Sequence, residues 1–234
     1  MSAKPFLILQ TGHASPEVRR RCGDFDAMFL RMAGLDSARA VCVDVEAGER
    51  PNKPQAYVGA LVTGSDAYVT DRLPWSEAAA GWLRDALDAE LPVLGVCYGH
   101  QLLAHALGGT VANNPAGEEL GTLEIVLSKL AAAEPLLAGL PTRFDVNLAH
   151  EQTVVELPKG ATVLATSAGD PHQILRYAPR VWSTQFHPEF DGATMTAIVE
   201  RERERNNPAA RGARTVDAPH GRAFLQRFVA SVVA

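Results

Sequence analysis

The chain has 234 residues, 47% hydrophobic and 21% charged, enough apolar material for a sizeable core and most simply one globular domain over residues 1–234. Lys and Arg total 22 against 27 Asp and Glu, and the net charge of −5 gives no electrostatic footing for nucleic acid or an anionic membrane. No apolar stretch approaches the roughly 18 residues of a membrane span, the run Phe6 to Leu9 is too short for a secretory signal, and a cytoplasmic protein is expected.

Phe6 to Gln10 reads as a buried strand that Gly12 turns, and Arg19 to Arg21 as a solvated basic patch. Phe25, Met28, Phe29 and Met32 mark one face of a helix ended by Gly34. Val41, Val43 and Val45 make a second strand, Pro51 and Pro54 bracket a loop, and Gly59 to Thr63 form a third strand that ends in Thr63-Gly64-Ser65-Asp66. Trp75, Ala79, Trp82, Leu83, Ala86 and Leu87 then give an amphipathic helix. Strands alternating with helices predict a parallel sheet wound on both faces, with ligands at the carboxyl ends of its strands.

At one such end lies Pro92 to Gly109, P-V-L-G-V-C-Y-G-H-Q-L-L-A-H-A-L-G-G. An apolar run enters Cys97, and the residues after it repeat at helical spacing until Gly108 and Gly109. A lone cysteine closing an apolar run is ordinarily a small buried hydrophobe. Here Gly95 and Gly99 flank it in a G-x-C-x-G pattern, the cysteine version of a nucleophile elbow, where side chains at the two glycines would collide. Its place at a helix N-terminus favours negative charge on the sulfur.

Beyond Gly109 the pattern changes. Asn113 to Gly121 reads as a polar loop, and Leu123, Ile125 and Leu127 alternate as in a strand. Phe144 to His150, Thr162 to Thr166, Gln173 to Tyr177 and Val181 to Phe186 are short runs, separated among others by Gly169-Asp170-Pro171 and Pro179-Arg180 at hairpin spacing, so antiparallel strands are expected beside the parallel sheet. A helix from Thr194 carries the alternating charges of Glu200 to Arg205, Asn206 to Ala218 reads as a mobile loop, and Ala223 to Val233 as a closing helix.

The second chemical signal is Gln185-Phe186-His187-Pro188-Glu189. Two residues apart in an extended segment, His187 and Glu189 point to one side, so the carboxylate can hold the imidazole while its other nitrogen takes a thiol proton. Alone, H-P-E is weak, since histidine near glutamate is commonplace; paired with the elbow it is specific. Cys22 and Cys42 complete three cysteines without C-x-x-C spacing, so neither a disulfide framework nor a zinc site is suggested. His13, His100, His105, His150, His172 and His220 form no metal-like cluster, and no metal or cofactor is called for.

Together, G-V-C-Y-G-H-Q and Q-F-H-P-E resemble the class I, triad-type glutamine amidotransferases, in particular the glutaminase domain of GMP synthetase and the plant gamma-glutamyl peptidases, over roughly Leu61 to Phe190. The resemblance implies a flavodoxin-like α/β/α sandwich with a mostly parallel central sheet and added antiparallel strands. It implies hydrolysis of a γ-glutamyl amide through a thioester on Cys97, with His187 as general base and acid and Glu189 orienting it. It further implies an oxyanion hole from the backbone N–H of Tyr98 and of the Gly64-Ser65 turn, and substrate contacts from Gln101 and from Ala149-His150-Glu151. Two positions depart from the GMP synthetase pattern: Gly64-Ser65-Asp66 stands for Gly-Gly-Pro, and Glu151 for the glycine after Ser-His. No S-G-G-x-D-S or G-x-x-x-x-G-K-[ST] phosphate loop follows Glu189. The expected partners are therefore a small γ-glutamyl substrate with water as acceptor, or a separate synthetase subunit that receives ammonia. A catalytically idle binding module is a further alternative, against which the intact triad argues.

Overall fold

The computed structural model describes residues 4–233. In chain order the strands and helices are β1 (Phe6–Gln10), α1 (Pro16–Cys22), α2 (Phe25–Ala33), β2 (Ala40–Asp44), β3 (Ala60–Val62), α3 (Pro74–Asp88), β4 (Val93–Val96), α4 (Tyr98–Ala106) and β5 (Thr110–Asn113). They continue with β6 (Glu119–Leu127), β7 (Arg143–His150), β8 (Gln152–Glu156), β9 (Thr162–Thr166), β10 (Ile174–Ala178), β11 (Val181–Thr184), α5 (Gly192–Glu204) and α6 (Pro219–Val233).

The main sheet runs β2-β1-β3-β4-β11-β10-β9-β6-β7. Its first five strands are parallel neighbours, and from β11 onward every pairing is antiparallel. The two faces of β1 explain why it reads as an unbroken apolar run. Phe6 and Ile8 enter a core shared with Phe29, Phe224 and Phe228 of α2 and α6, whereas Leu7 and Leu9 enter one shared with Ala79, Leu83 and Leu102 of α3 and α4. A third cluster joins α1, α2 and α5 through Val18, Phe25, Met28, Met195 and Val199, beside the carboxyl ends of the strands. No helix among the described residues is long and apolar enough to cross a membrane.

Arg19 to Arg21 are exposed as expected, and they lie on a helix, α1, whose N-terminus is capped by Ser15. Elsewhere the local reading changes in three places. Thr110–Asn113 and Gln152–Glu156, the first unassigned and the second unseen, pair as a separate antiparallel ribbon. Only Glu151 separates β7 from β8, so no turn residue marks the point where the chain leaves one sheet for another. The polar loop is shorter than 113–121, because Glu119 to Gly121 already pair with β7. Finally, the 206–218 segment is tied down: Thr122 N–H donates to Arg214 O at 2.7 Å, Val216 N–H donates to Thr122 Oγ1 at 2.9 Å, and Ala210 is buried.

Candidate active site

Cys97 sits between β4 and α4 with φ 52° and ψ −102°, a conformation that costs a non-glycine residue on the order of 1–3 kcal/mol. The strain is held by neighbours. Cys97 N–H donates to Thr184 O of β11 at 2.8 Å, and Gly99 N–H to Thr63 O at 3.1 Å, so the elbow is bonded to strands on both sides of β4. A Cβ on Gly95 would lie 2.4 Å from Gly99 O, and one on Gly99 2.6 Å from Val62 O, distances at which backbone would have to move. Strand and helix pass here with room only for hydrogen.

His187 and Glu189 lie beyond the end of β11, in a turn rather than on the extended segment expected, and the turn itself brings them together. His187 Nδ1 is 2.7 Å from Glu189 Oε1; the ring is 4% and the carboxylate 0% exposed, so their pairing is sheltered from water. Burial alone would lower the pKa of His187. Attraction to the Glu189 carboxylate and to the Cys97 sulfur outweighs it and raises the pKa above the ordinary histidine value. Gly64 faces the same pair, since a Cβ there would stand 3.0 Å from His187 Cε1 and 3.8 Å from Cys97 Cβ.

Sequence reasoning missed two groups that hold His187. Phe190 stacks flat on its ring at a centroid distance of 3.9 Å and an interplanar angle of 3°, and Phe25 of α2 stacks on Phe190 at 6.2 Å. Asn147 of β7 clamps both ends of the turn: its carbonyl accepts from His187 N–H at 2.8 Å, and its Nδ2 donates to Phe190 O at 2.9 Å. Thr122 Oγ1 in turn donates to Asn147 Oδ1 at 2.7 Å. A signal was present, because Asn147 is a fully buried amide in the middle of an apolar strand, where asparagine is disfavoured unless its hydrogen bonds are needed.

A cleft of about 270 Å³ opens over this group and is lined by Ser65, Cys97, Tyr98 and His187. On its β7 side stand Gln101, Ala149, His150 and Glu151. Cys97 Sγ is 3.8 Å from Ala149 O. Gln101 is anchored through Nε2 to Gln152 O at 2.7 Å and Gln185 Oε1 at 3.1 Å. Glu151 accepts a hydrogen bond from Tyr68 at the rim, and that bond together with burial pushes the tyrosine pKa up to about 12. The ring of His150 instead turns into the protein, between Gln152 O and Glu119 Oε2 at 2.9 Å each. Glu119, His150 and Asp170 present ligand-type atoms within 4.8 Å of one another, a grouping the sequence did not reveal. Protein donors occupy them: Glu119 also accepts from Ser167 and Gln173, and Asp170 from Thr153 and the His172 amide. The trio reads as a hydrogen-bonded wall behind the cleft.

A cysteine raised on an elbow at the carboxyl end of a central parallel strand, beside a histidine and a glutamate that follow the adjoining strand, places the chain among α/β proteins with a strand-elbow-helix site. Residues 49–203 match the family described as glutamine amidotransferase class-I, and the chain belongs to that family. It is 38% identical over 144 residues to a GMP synthase [glutamine-hydrolyzing] of Thermomicrobium roseum, 61% of this chain but only 25% of that relative, so it spans about a quarter of that relative's length. It is 26% identical over 202 residues to gamma-glutamyl peptidase 4 of Arabidopsis thaliana, covering 85% of this chain and 80% of that protein. Among solved structures, a glutamine amidotransferase from Thermotoga maritima superposes with a TM-score of 0.72 at 22% identity, over 97% of this chain and 99% of the other. One from Methylobacillus flagellatus gives 0.77 at 20%, over 99% and 96%. The sheet flanked by helices is therefore the flavodoxin-like sandwich of this family.

Proposed function

We propose that the chain hydrolyses a γ-glutamyl amide through a covalent thioester on Cys97. His187 takes the thiol proton as sulfur attacks the γ-carbonyl carbon, and the carbonyl oxygen becomes an oxyanion held by the backbone N–H of Tyr98 and of the Gly64-Ser65 turn. On collapse the C–N bond breaks, and His187 returns the proton to the leaving amine. Water, deprotonated by His187, then attacks the thioester and releases glutamate and the free thiol. Glu189 fixes the ring and balances its positive charge without exchanging the proton. Gln101 and the backbone of Ala149, His150 and Glu151 hold the amino-acid end. The observation that carries this reading is the buried His187–Glu189 pair facing a cysteine held at positive φ.

A second reading, in which ammonia passes to a separate synthetase subunit, draws on the likeness to GMP synthase. One feature favours a γ-glutamyl substrate larger than glutamine, cleaved by water: the lining of the cleft also includes Val18, Phe25, Phe190 and Ile198, apolar surface that an ammonia leaving group does not need. A substrate panel tests the choice. Amine release from γ-glutamyl peptides by the purified chain, exceeding ammonia release from glutamine, supports hydrolysis; turnover that appears only on adding a synthetase subunit supports the second reading.

A further inference from the structure

The Gly64-Ser65 turn offers two backbone N–H groups, and the hydrogen bonds around it distinguish them. Thr63 O accepts from Gly99 N–H of the elbow at 3.1 Å and from Thr11 Oγ1 at 2.9 Å. In a trans peptide the N–H points away from the C=O it adjoins, so the Gly64 N–H faces away from the elbow. Gly64 O is turned the other way, towards β1, where it lies 3.0 Å from Thr63 Oγ1 and 3.2 Å from Thr11 Oγ1. The Ser65 N–H, on the opposite side of that peptide, is thereby turned to the cleft, which Ser65 lines.

We infer that Thr11 and Thr63 form a two-hydroxyl clamp, Thr11 on the Thr63–Gly64 carbonyl and Thr63 on the Gly64–Ser65 carbonyl, that makes Ser65 N–H the second oxyanion donor beside Tyr98 N–H. Each hydroxyl has one proton, and the count closes. Thr11 N–H donates to Thr63 Oγ1 at 3.0 Å, which leaves the Thr63 proton for Gly64 O, while the Thr11 proton goes to Thr63 O. Both threonines are fully buried, so water does not compete for these bonds. Ser65 adds its own restraint by accepting from Ala67 N–H at 3.0 Å. The space beneath is also filled, because a Cβ on Gly12 would fall 2.7 Å from Ser65 Cα. The turn that departs from Gly-Gly-Pro thus takes its rigidity from hydroxyls just past the ends of β1 and β3. Thr63 O, shared between Gly99 and Thr11, ties the segments carrying both donors to each other.

The inference rests on the proposed γ-glutamyl hydrolysis and makes both threonines positioning residues. Its test compares two reactions of Cys97 on the same protein: acylation by glutamine or γ-glutamyl-p-nitroanilide, which develops an oxyanion, and alkylation by iodoacetamide, which does not. Thr63→Val should lower kcat about 10- to 100-fold with KM nearly unchanged, keep the wild-type alkylation rate, and be rescued by Thr63→Ser. Thr11→Val should lower kcat about 3- to 10-fold, and it decides alone if Thr63→Val does not fold. A folded valine variant with wild-type kcat, or one whose acylation and alkylation fall equally, overturns the clamp while leaving the hydrolysis intact. A wild-type chain that cleaves neither substrate overturns the hydrolysis, and the clamp with it.

Discussion

The two halves of the main sheet contribute to the site by different means. In the parallel half, β3 and β4 hand over the Gly64-Ser65 turn and Cys97 chiefly through backbone: hydrogen bonds reach from Cys97 N–H to Thr184 O and from Gly99 N–H to Thr63 O, glycines let helix and strand touch, and only the turn draws on side chains, the Thr11 and Thr63 hydroxyls. In the antiparallel half the placement is done by side chains. Asn147 holds the turn after β11 at both ends, Glu189 holds one nitrogen of His187, and Phe190 holds the plane of its ring. The backbone placement of the elbow fails when a Cβ is added at Gly95 or Gly99. Side-chain placement can be taken apart one group at a time.

The largest effects should come from the groups the two halves bring together. Cys97→Ala is expected to abolish turnover, and alkylation by a glutamine-like electrophile should label Cys97 while sparing Cys22 and Cys42. His187→Ala should lower kcat about 10²- to 10⁴-fold, the usual contribution of a positioned general base. Steady-state rates and peptide mapping of the label check both; equal labelling of all three cysteines would remove Cys97 from its role.

Next comes the backbone side of the comparison. Gly99→Ala places a methyl 2.6 Å from Val62 O, where only main chain can give way. We expect a stability loss of about 3 kcal/mol, a Tm lower by roughly 6–12 °C, and a kcat loss exceeding that of any single substitution in the Asn147 clamp. A Gly99→Ala protein with wild-type Tm and kcat would show that the elbow is not closed by this contact.

This contrast also explains what could be read in advance. The parallel half was legible because its inner strands β1, β3 and β4 are buried on both faces and its turns are written in glycine. Phe6 to Gln10, Gly59 to Thr63 and the Gly95-Cys97-Gly99 elbow all fall within a residue or two of where the sequence puts them. The proposed triad of Cys97, His187 and Glu189 could be assembled because its members lie in two short motifs. The antiparallel half depends on partners far apart in sequence: the amphipathic Thr110–Asn113 and Gln152–Glu156 find each other only in space. Asn147 is bonded to Thr122, His187 and Phe190, and no local pattern joins those four positions.

On the side-chain side the effects should be graded. Glu189→Gln removes the carboxylate that raises His187, so kcat should fall about 10- to 100-fold and the imidazole should lose its proton at lower pH, which NMR titration reads directly. Asn147→Ala strips partners from Thr122 and from the Phe190 carbonyl, a loss of about 1–3 kcal/mol. Phe190→Leu keeps apolar volume but removes the stack, and a fall in kcat of only about 2- to 5-fold is expected, on the scale of one aromatic pair. A Phe190→Leu effect as large as that of Glu189→Gln would mean that ring orientation, not charge, dominates.

The smallest effect lies outside the chemistry, at the end of β1. His13 bridges Asp24 at 2.8 Å and Asp44 at 2.9 Å, with Gln10 also on Nδ1 and Arg19 on Asp24. The hydrogen bond His13 donates to Asp24 raises the His13 pKa, against a smaller opposing effect of burial and with further help from the charges of Asp24 and Asp44. For Asp24, burial pushes upward, but hydrogen bonds from Ala14 N–H, His13 and Phe25 N–H outweigh it and leave the carboxyl lowered. The signs define a window. A raised histidine stabilises the fold fully below its unfolded pKa of about 6.5 and loses that contribution as pH rises through the folded value. A lowered aspartate stabilises above its unfolded pKa of about 3.9 and loses that contribution as pH falls through the folded value. Both act together between about pH 4 and 6.5. Because His13 is 36% exposed, solvent screening keeps the effect modest. Urea unfolding at pH 5.5 and pH 9 should show wild type losing more stability across that interval than His13→Gln, with kcat at pH 7 alike in the two proteins. Identical pH dependence in the two would remove His13 from any part in holding β1, α2 and β2 together.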